Sequence, residues 1–160
     1  MSICYIFHSE SGNTRGVIER CAAIAGGDKI EVKDLEHYNR ITKFLRGGRR
    51  AVQGMVDPIE PSNIDVAKYD AVVIGSPVWG GHPTPAINAV IKSLKGCEGK
   101  KAVIMVTCGG NAGQSTEIMQ KALEGIKMSV SGSMVFTRKD LRNQERMNSF
   151  VNLVKKASGA

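Results

Sequence analysis

The stretch ICYIFHSESGNTR, residues 3–15, decides the fold. Ile3 to Phe7 is an unbroken apolar run, the mark of a strand buried on both faces. It ends at the polar segment HSESGNT, residues 8–14, after which Val17, Ile18, Cys21, Ala22, Ile24 and Ala25 recur at helical spacing. Gly26-Gly27 then stops the helix. A buried strand that feeds a helix through a short polar loop is the opening unit of a parallel α/β sheet.

The same alternation continues outward from this unit. Lys29 to Leu35 reads as a second strand, and Ile41, Phe44, Leu45 and Val52 fall on one face of a basic second helix weakened at Gly47-Gly48. Residues 53–69, with Pro58 and Pro61, read as a connecting loop. Asp70 to Gly75 is a third strand, followed by SPVWGGHPTP (76–85) and a helix from Ala86 to Leu94. Lys101 to Thr107 is a fourth strand, followed by CGGNAG (108–113) and a helix marked by Ile118, Met119, Ala122 and Leu123. Met128 to Phe136 is a fifth strand, and Leu141, Met147, Phe150, Val151 and Val154 form the apolar stripe of a closing helix. The pattern predicts an α/β fold, a three-layer, doubly wound, five-stranded parallel sheet. With 160 residues and no linker, a single domain over 1–160 is expected.

In open α/β sheets, ligands sit outside the carboxyl ends of the strands, where the strand order reverses. The loops at 8–14, 76–83 and 107–113 are therefore the candidates. In the first, SESGNTR opens a helix, so its backbone N–H groups point at whatever lies in front. Gly12 permits close approach, and Ser9, Ser11, Asn13 and Thr14 add neutral donors that suit a phosphate. Ser, Asn and Thr also serve as ordinary helix caps, and that reading stands beside the first. The second loop carries the only tryptophan, Trp79, next to Gly80-Gly81. It is either a rigid plate for a flat ring or a cover for one edge of the core. The third loop adds a glycine-rich wall at Gly109 and Gly110. Neither GxxxxGK[ST] nor GxGxxG occurs in the chain.

Taken together, SESGNT and AVVIGSPVWGG resemble the flavodoxin family's phosphate loop and its strand-and-isoalloxazine loop, and the resemblance runs over essentially the whole chain. It implies a flavodoxin-like strand order 2-1-3-4-5 and noncovalent FMN. By the same resemblance, Ser9, Glu10 through its backbone, Ser11, Gly12, Asn13 and Thr14 hold the phosphate. Pro77, Val78, Trp79 and Gly80 pack the inner flavin face, and Cys108, Gly109, Gly110 and Asn111 border the pyrimidine side. It further implies a carbonyl in Trp79-Gly80-Gly81 that turns toward the reduced ring. Two features depart from the family. Residues 107–113 hold no aromatic to cover the outer flavin face, and the protein is basic where well-known flavodoxins are acidic.

Twenty-two Lys and Arg against fifteen Asp and Glu leave a net charge of +7. Arg40, Lys43, Arg46, Arg49 and Arg50 crowd the second helix, either as a solvated face or as a docking surface for an acidic redox partner protein. A positive field also favours a reduced, anionic flavin. With no RRM-type motif and no zinc-finger spacing, nucleic acid remains a minor reading. Cys4, Cys21, Cys97 and Cys108 form no CxxC pair, and His8, His37 and His82 form no metal-ligand spacing, so neither disulfides nor a metal site are expected. No apolar run is long enough to cross a bilayer and no secretory signal opens the chain, so a cytoplasmic monomer or homo-oligomer is expected. A signalling receiver on this fold needs acidic residues where His8-Ser9 and Gly75-Ser76 stand. Three readings remain. An FMN-binding electron carrier is preferred, an NAD(P)H-dependent FMN oxidoreductase acting on a quinone or similar acceptor is the alternative, and a flavin-free interaction module is the third. Cys108 is given no catalytic role, and His8 and His82 are proton donors only if they face the ring.

Overall fold

A computed structural model describes residues 1–159. Five parallel strands form the sheet: β1 (Ile3–Phe7), β2 (Asp28–Glu31), β5 (Ala71–Trp79), β7 (Lys101–Cys108) and β8 (Ser129–Thr137). Their order is β2-β1-β5-β7-β8, the flavodoxin-like 2-1-3-4-5 arrangement when only these five are counted. Short strands β3 (Lys33–Asp34) and β4 (Ile59–Glu60) pair antiparallel off the sheet, and β6 (His82–Pro83) folds back on β5.

Alternate residues of the central strands feed two cores on opposite faces. On one face Tyr5, Phe7, Val73, Val103 and Met105 meet α1 (Asn13–Ala25) and α6 (Gln144–Ser158). On the other, Cys4, Ile6, Val72, Ile74 and Ile104 meet α4 (Pro85–Ser93) and α5 (Ser115–Gly125). Strands covered on both sides must be apolar on both, which explains the unbroken runs of β1, β5 and β7. β8 lies at the sheet edge, and its burial alternates along most of its length.

Three expectations are corrected here. The second strand stops at Glu31, because Val32 turns inward and Lys33–Asp34 leave to pair with β4. The third strand runs on through Trp79, because Gly80 and Gly81 (φ +58° and +77°) close a two-residue hairpin with β6. The largest correction concerns the second helix. It is three short pieces, α2 (Arg40–Thr42), a π-helical turn (Lys43–Gly47) and α3 (Gly48–Val52), lying at the carboxyl edge rather than on the sheet. Its apolar stripe faces outward: Ile41, Phe44, Leu45 and Val52 are 71%, 85%, 69% and 52% exposed. The place such a helix would take in the core is filled by Val32, Ile59, Ile64 and Val66. Among the described residues, no helix is long and apolar enough to cross a membrane.

Candidate functional site

The first loop ends in Gly12, which occupies the left-handed region (φ +88°) as the N-cap of α1 and makes no side-chain cap. Its conformation turns the chain so that the first N–H groups of the helix face outward. Ser9 Oγ accepts from the N–H of Arg15 at 3.1 Å, so one residue of the loop does serve as a cap. Thr14 is buried and its hydroxyl shares a 2.8 Å hydrogen bond with that of Thr107, tying α1 to β7. The N–H groups of Ser11, Gly12, Asn13 and Thr14 have no protein acceptor among the described residues. They form a cluster of aligned donors at the positive end of a helix.

The second and third loops lock together. Gly113 (φ +56°) lies so close to Gly81 that a Cβ on it would stand 2.5 Å from the Gly81 Cα. The Gly81 carbonyl accepts from the N–H of Gln114 at 2.8 Å, and the Gly80 carbonyl accepts from Nδ1 of His82 at 2.8 Å. Both carbonyls of the glycine pair thus accept protein hydrogen bonds. Trp79 is only 8% exposed. Tyr38 and His8 meet its ring edge-on at 5.5 and 6.1 Å between centroids. A Cβ at Gly47 would come within 2.9 Å of the indole, so this glycine is what allows the π-helical turn to seat on Trp79.

Between the loops lies a cavity of about 460 Å³. Of the residues expected from sequence, Glu10, Ser11, Asn13, Pro77, Val78, Trp79, Gly80, Cys108 and Gly109 line it together. Ser9 and Thr14 serve the loop beneath, and Gly12 sets its shape. Gly110 and Asn111 stand outside the cavity wall, with Asn111 Oδ1 accepting from the N–H of Gly113 at 2.8 Å. Sequence reasoning missed Lys43, Phe44, Gly48 and Val52 from the second helix, and Thr107 and Arg138 at the ends of β7 and β8. Arg138 was findable, since it directly follows the fifth strand at the carboxyl edge. The placement of Lys43 depends on the π-helical turn and has no local signal.

The basic run is less free than its composition suggests. Lys43 pairs with Glu10 at 2.6 Å, Arg46 with Glu36 at 2.6 Å, and Arg50 with Asp57 at 2.5 Å. Arg40 and Arg49 have no carboxylate partner among the described residues. The Lys43–Glu10 pair bridges the second helix to the phosphate-type loop and offsets a carboxylate that would repel an anion there. Lys43 Nζ also lies 5.8 Å from the Trp79 ring centroid.

Behind Trp79 sits a carboxyl pair. Asp57 is buried, and accepts from Arg50 and from Tyr38 Oη at 2.5 Å. Beside it, Asp34 Oδ2 is buried without a partner. Burial, and then the negative charge of Asp57, push the Asp34 carboxyl up to about 7. Below that value a proton on Asp34 answers its orphan oxygen. His8 bonds Thr84 Oγ1 through Nδ1 at 3.1 Å, and burial lowers its pKa, so the ring is a neutral structural group at neutral pH. Burial and the nearby Asp140 raise the Cys108 thiol above its ordinary value, which argues against a reactive thiolate.

The chain resembles several solved structures. A candidate flavoprotein from Bacteroides eggerthii DSM 20697 is 22% identical with a TM-score of 0.76, covering 96% of this chain and 97% of that one. A flavoprotein in complex with FMN from Lactobacillus acidophilus NCFM is 20% identical with a TM-score of 0.68, over 90% and 98%. Two-electron reduced flavodoxin from Megasphaera elsdenii is 16% identical with a TM-score of 0.62, over 99% of each chain. These likenesses show a shared flavodoxin-like fold. No curated protein matches the chain. Residues 1–140 match the NADPH-dependent FMN reductase family, which corrects the narrower resemblance to the flavodoxins themselves. Within the flavodoxin-like fold, the chain belongs to the NADPH-dependent FMN reductase family.

Proposed function

We propose that the protein is an FMN-carrying oxidoreductase that takes reducing equivalents from NADPH or NADH and delivers them to a quinone or similar small acceptor. FMN is its cofactor, as family membership and the resemblance both indicate. The observation that carries the reading is the cavity itself. Unpartnered N–H groups stand at one end, an apolar wall of Val78, Trp79, Phe44 and Val52 lies along it, and Gly109 borders the other end. Its volume falls in the usual range of about 300–1,000 Å³ for small-molecule sites. The third loop supplies no aromatic cover.

The chemistry that bound flavin supplies is acceptance of a hydride from a reduced nicotinamide and its release to an acceptor. The chain's own residues do the rest. The N–H groups of Ser11, Gly12 and Asn13 hold the phosphate through the α1 dipole. Lys43 cancels Glu10 beside it, and Trp79, buttressed by Tyr38 and Gly47, fixes the ring plane. With the Gly80 and Gly81 carbonyls held in protein hydrogen bonds, the loop that would flank the ring is tied on both sides. The test is anaerobic mixing of FMN-loaded protein with NADPH or NADH, followed by a quinone. Bleaching and then recovery of the flavin colour is expected. A flavin that only a chemical reductant can bleach would overturn the enzyme reading.

The exposed stripe Ile41, Phe44, Leu45 and Val52, flanked by Arg40 and Arg49, favours a second reading. An apolar centre with a cationic rim is the build of a docking surface for an acidic redox protein. Electron transfer to such a partner should slow steeply as salt rises. A rate indifferent to salt would dismiss this reading.

A further inference from the structure

Among the described residues, the cavity contains one charge that no protein group balances. Glu10 and Lys43 cancel each other at 2.6 Å. Arg138 also lines the cavity, and no carboxylate lies within ion-pairing distance of it among the described residues. The nearest acid along the chain, Asp140, is occupied by Thr137, whose N–H and hydroxyl donate to it at 2.9 and 2.7 Å. The strand register shows where Arg138 joins the cavity wall. β7 and β8 pair in parallel register up to Cys108 opposite Thr137, so Arg138 leaves the sheet edge beside Gly109. From β1 to β8 is three strand spacings, about 14 Å at ~4.8 Å each. The aligned N–H donors and Arg138 therefore occupy opposite ends of the cavity.

This inference rests on the flavin reading of the site. A flavin has an anionic tail, an apolar dimethylbenzene edge and a polar pyrimidine edge. With its phosphate on the α1 donors, the polar edge matches the β7–β8 end, where Thr107, Cys108, Gly109 and Arg138 lie. The apolar edge matches Phe44 and Val52. Charge balance then gives Arg138 a task. A hydride brings two electrons and one proton, so its addition to the neutral oxidised ring forms one C–H-derived N–H bond and leaves one negative charge. That charge is delocalised over the pyrimidine edge. We propose that Arg138 is the charge-compensating residue of the site, binding the two-electron reduced flavin more tightly than the oxidised one and so raising its reduction potential.

The test compares wild type with Arg138→Ala, Arg138→Lys and Arg138→Glu, each loaded with FMN. Arg138 is exposed and outside both cores, so the thermal unfolding midpoint should be little changed, and any loss of affinity for oxidised FMN should be smaller than that for reduced FMN. Affinity for reduced FMN should fall about tenfold in Arg138→Ala, equivalent to a potential lower by about 30 mV for a two-electron couple. Arg138→Glu should fall further and Arg138→Lys should recover most of the loss. The difference between wild type and Arg138→Ala should shrink at high salt. An unchanged potential in Arg138→Ala with FMN bound overturns the assignment while leaving the flavin reading intact. Failure of wild type to bind oxidised FMN overturns both, and the two failures are told apart by that binding measurement.

Discussion

Two amphipathic stretches look alike in sequence and are treated oppositely by the fold. In α6, Met147, Phe150, Val151 and Val154 are buried against β5, β7, β8 and α1. In residues 40–52, Ile41, Phe44 and Leu45 repeat the spacing of Met147, Phe150 and Val151, and together with Val52 they face solvent. Helical periodicity records that a segment has an apolar side, and says nothing of what will cover it. α6 lies along the sheet, where Tyr5, Phe7, Val103 and Met105 need a partner. The second helix lies past the strand ends, seated on Trp79 through Gly47, and its stripe borders the cavity instead of the core. One stripe holds the fold together and the other is available for binding.

The contrast can be broken by substitution. Phe150→Ala should destabilise the protein by about 3–5 kcal/mol in denaturant unfolding, as for other buried aromatics. Phe44→Ala should stay within about 0.5 kcal/mol, since it removes nothing from the core. If the two variants lost similar stability, the second helix would be a core element after all.

Next in size is the junction of the second and third loops. Gly113→Ala combines a strained φ with a Cβ in contact with the Gly81 backbone, so a loss of about 1–3 kcal/mol is expected. FMN affinity should fall with it, because the loops no longer meet. Gly47→Ala tests the other junction. Its backbone is ordinary helix, so the main conflict is with the Trp79 ring at 2.9 Å, with a milder one against Tyr38 at 3.3 Å. A shift in tryptophan fluorescence and weaker FMN binding, with the main unfolding transition little changed, would show that the second helix serves the site and not the core.

A further contrast concerns pH. The Asp34 carboxyl rises from an ordinary 3.8 to about 7, so the folded protein keeps a proton that the unfolded chain has released. The stability this proton contributes is complete below 3.8 and is lost as pH rises to about 7. His8, lowered from 6.5 by burial, acts with the opposite sign, its cost disappearing as pH rises past that value. Asp34→Asn keeps a donor at the orphan oxygen and removes the titration. Its stability, measured against pH, should lack the falling component that wild type shows, and identical profiles would contradict the assignment.

How much of this was legible follows the same division. β1, β5 and β7 announce themselves because both faces are covered and every residue must be apolar. β2, at the edge, does not, and its end at Glu31 depends on where Val32 finds a core. The extension of β5 through Ser76 and Pro77 to Trp79 was hidden by residues that read as a loop until the Gly80-Gly81 hairpin is seen. Of the cavity and its loops, Ser11, Gly12, Asn13 and Gly109 drew attention because a loop between strand and helix has few reasons to carry that chemistry, and Trp79 because it stands at a strand's carboxyl end. Lys43 was read only as one cation of the basic helix and Arg138 was passed over, because the part a surface-type cation plays in the site shows once the cavity beside it is formed.

The central claim is that one FMN occupies the cavity between these three loops. The most direct measurement is the fluorescence of Trp79, the only tryptophan of the chain, as FMN is added to apoprotein. Strong, saturable quenching that ends at one FMN per chain is the expected result. Unchanged emission at every FMN concentration would leave the fold standing and contradict the flavin site.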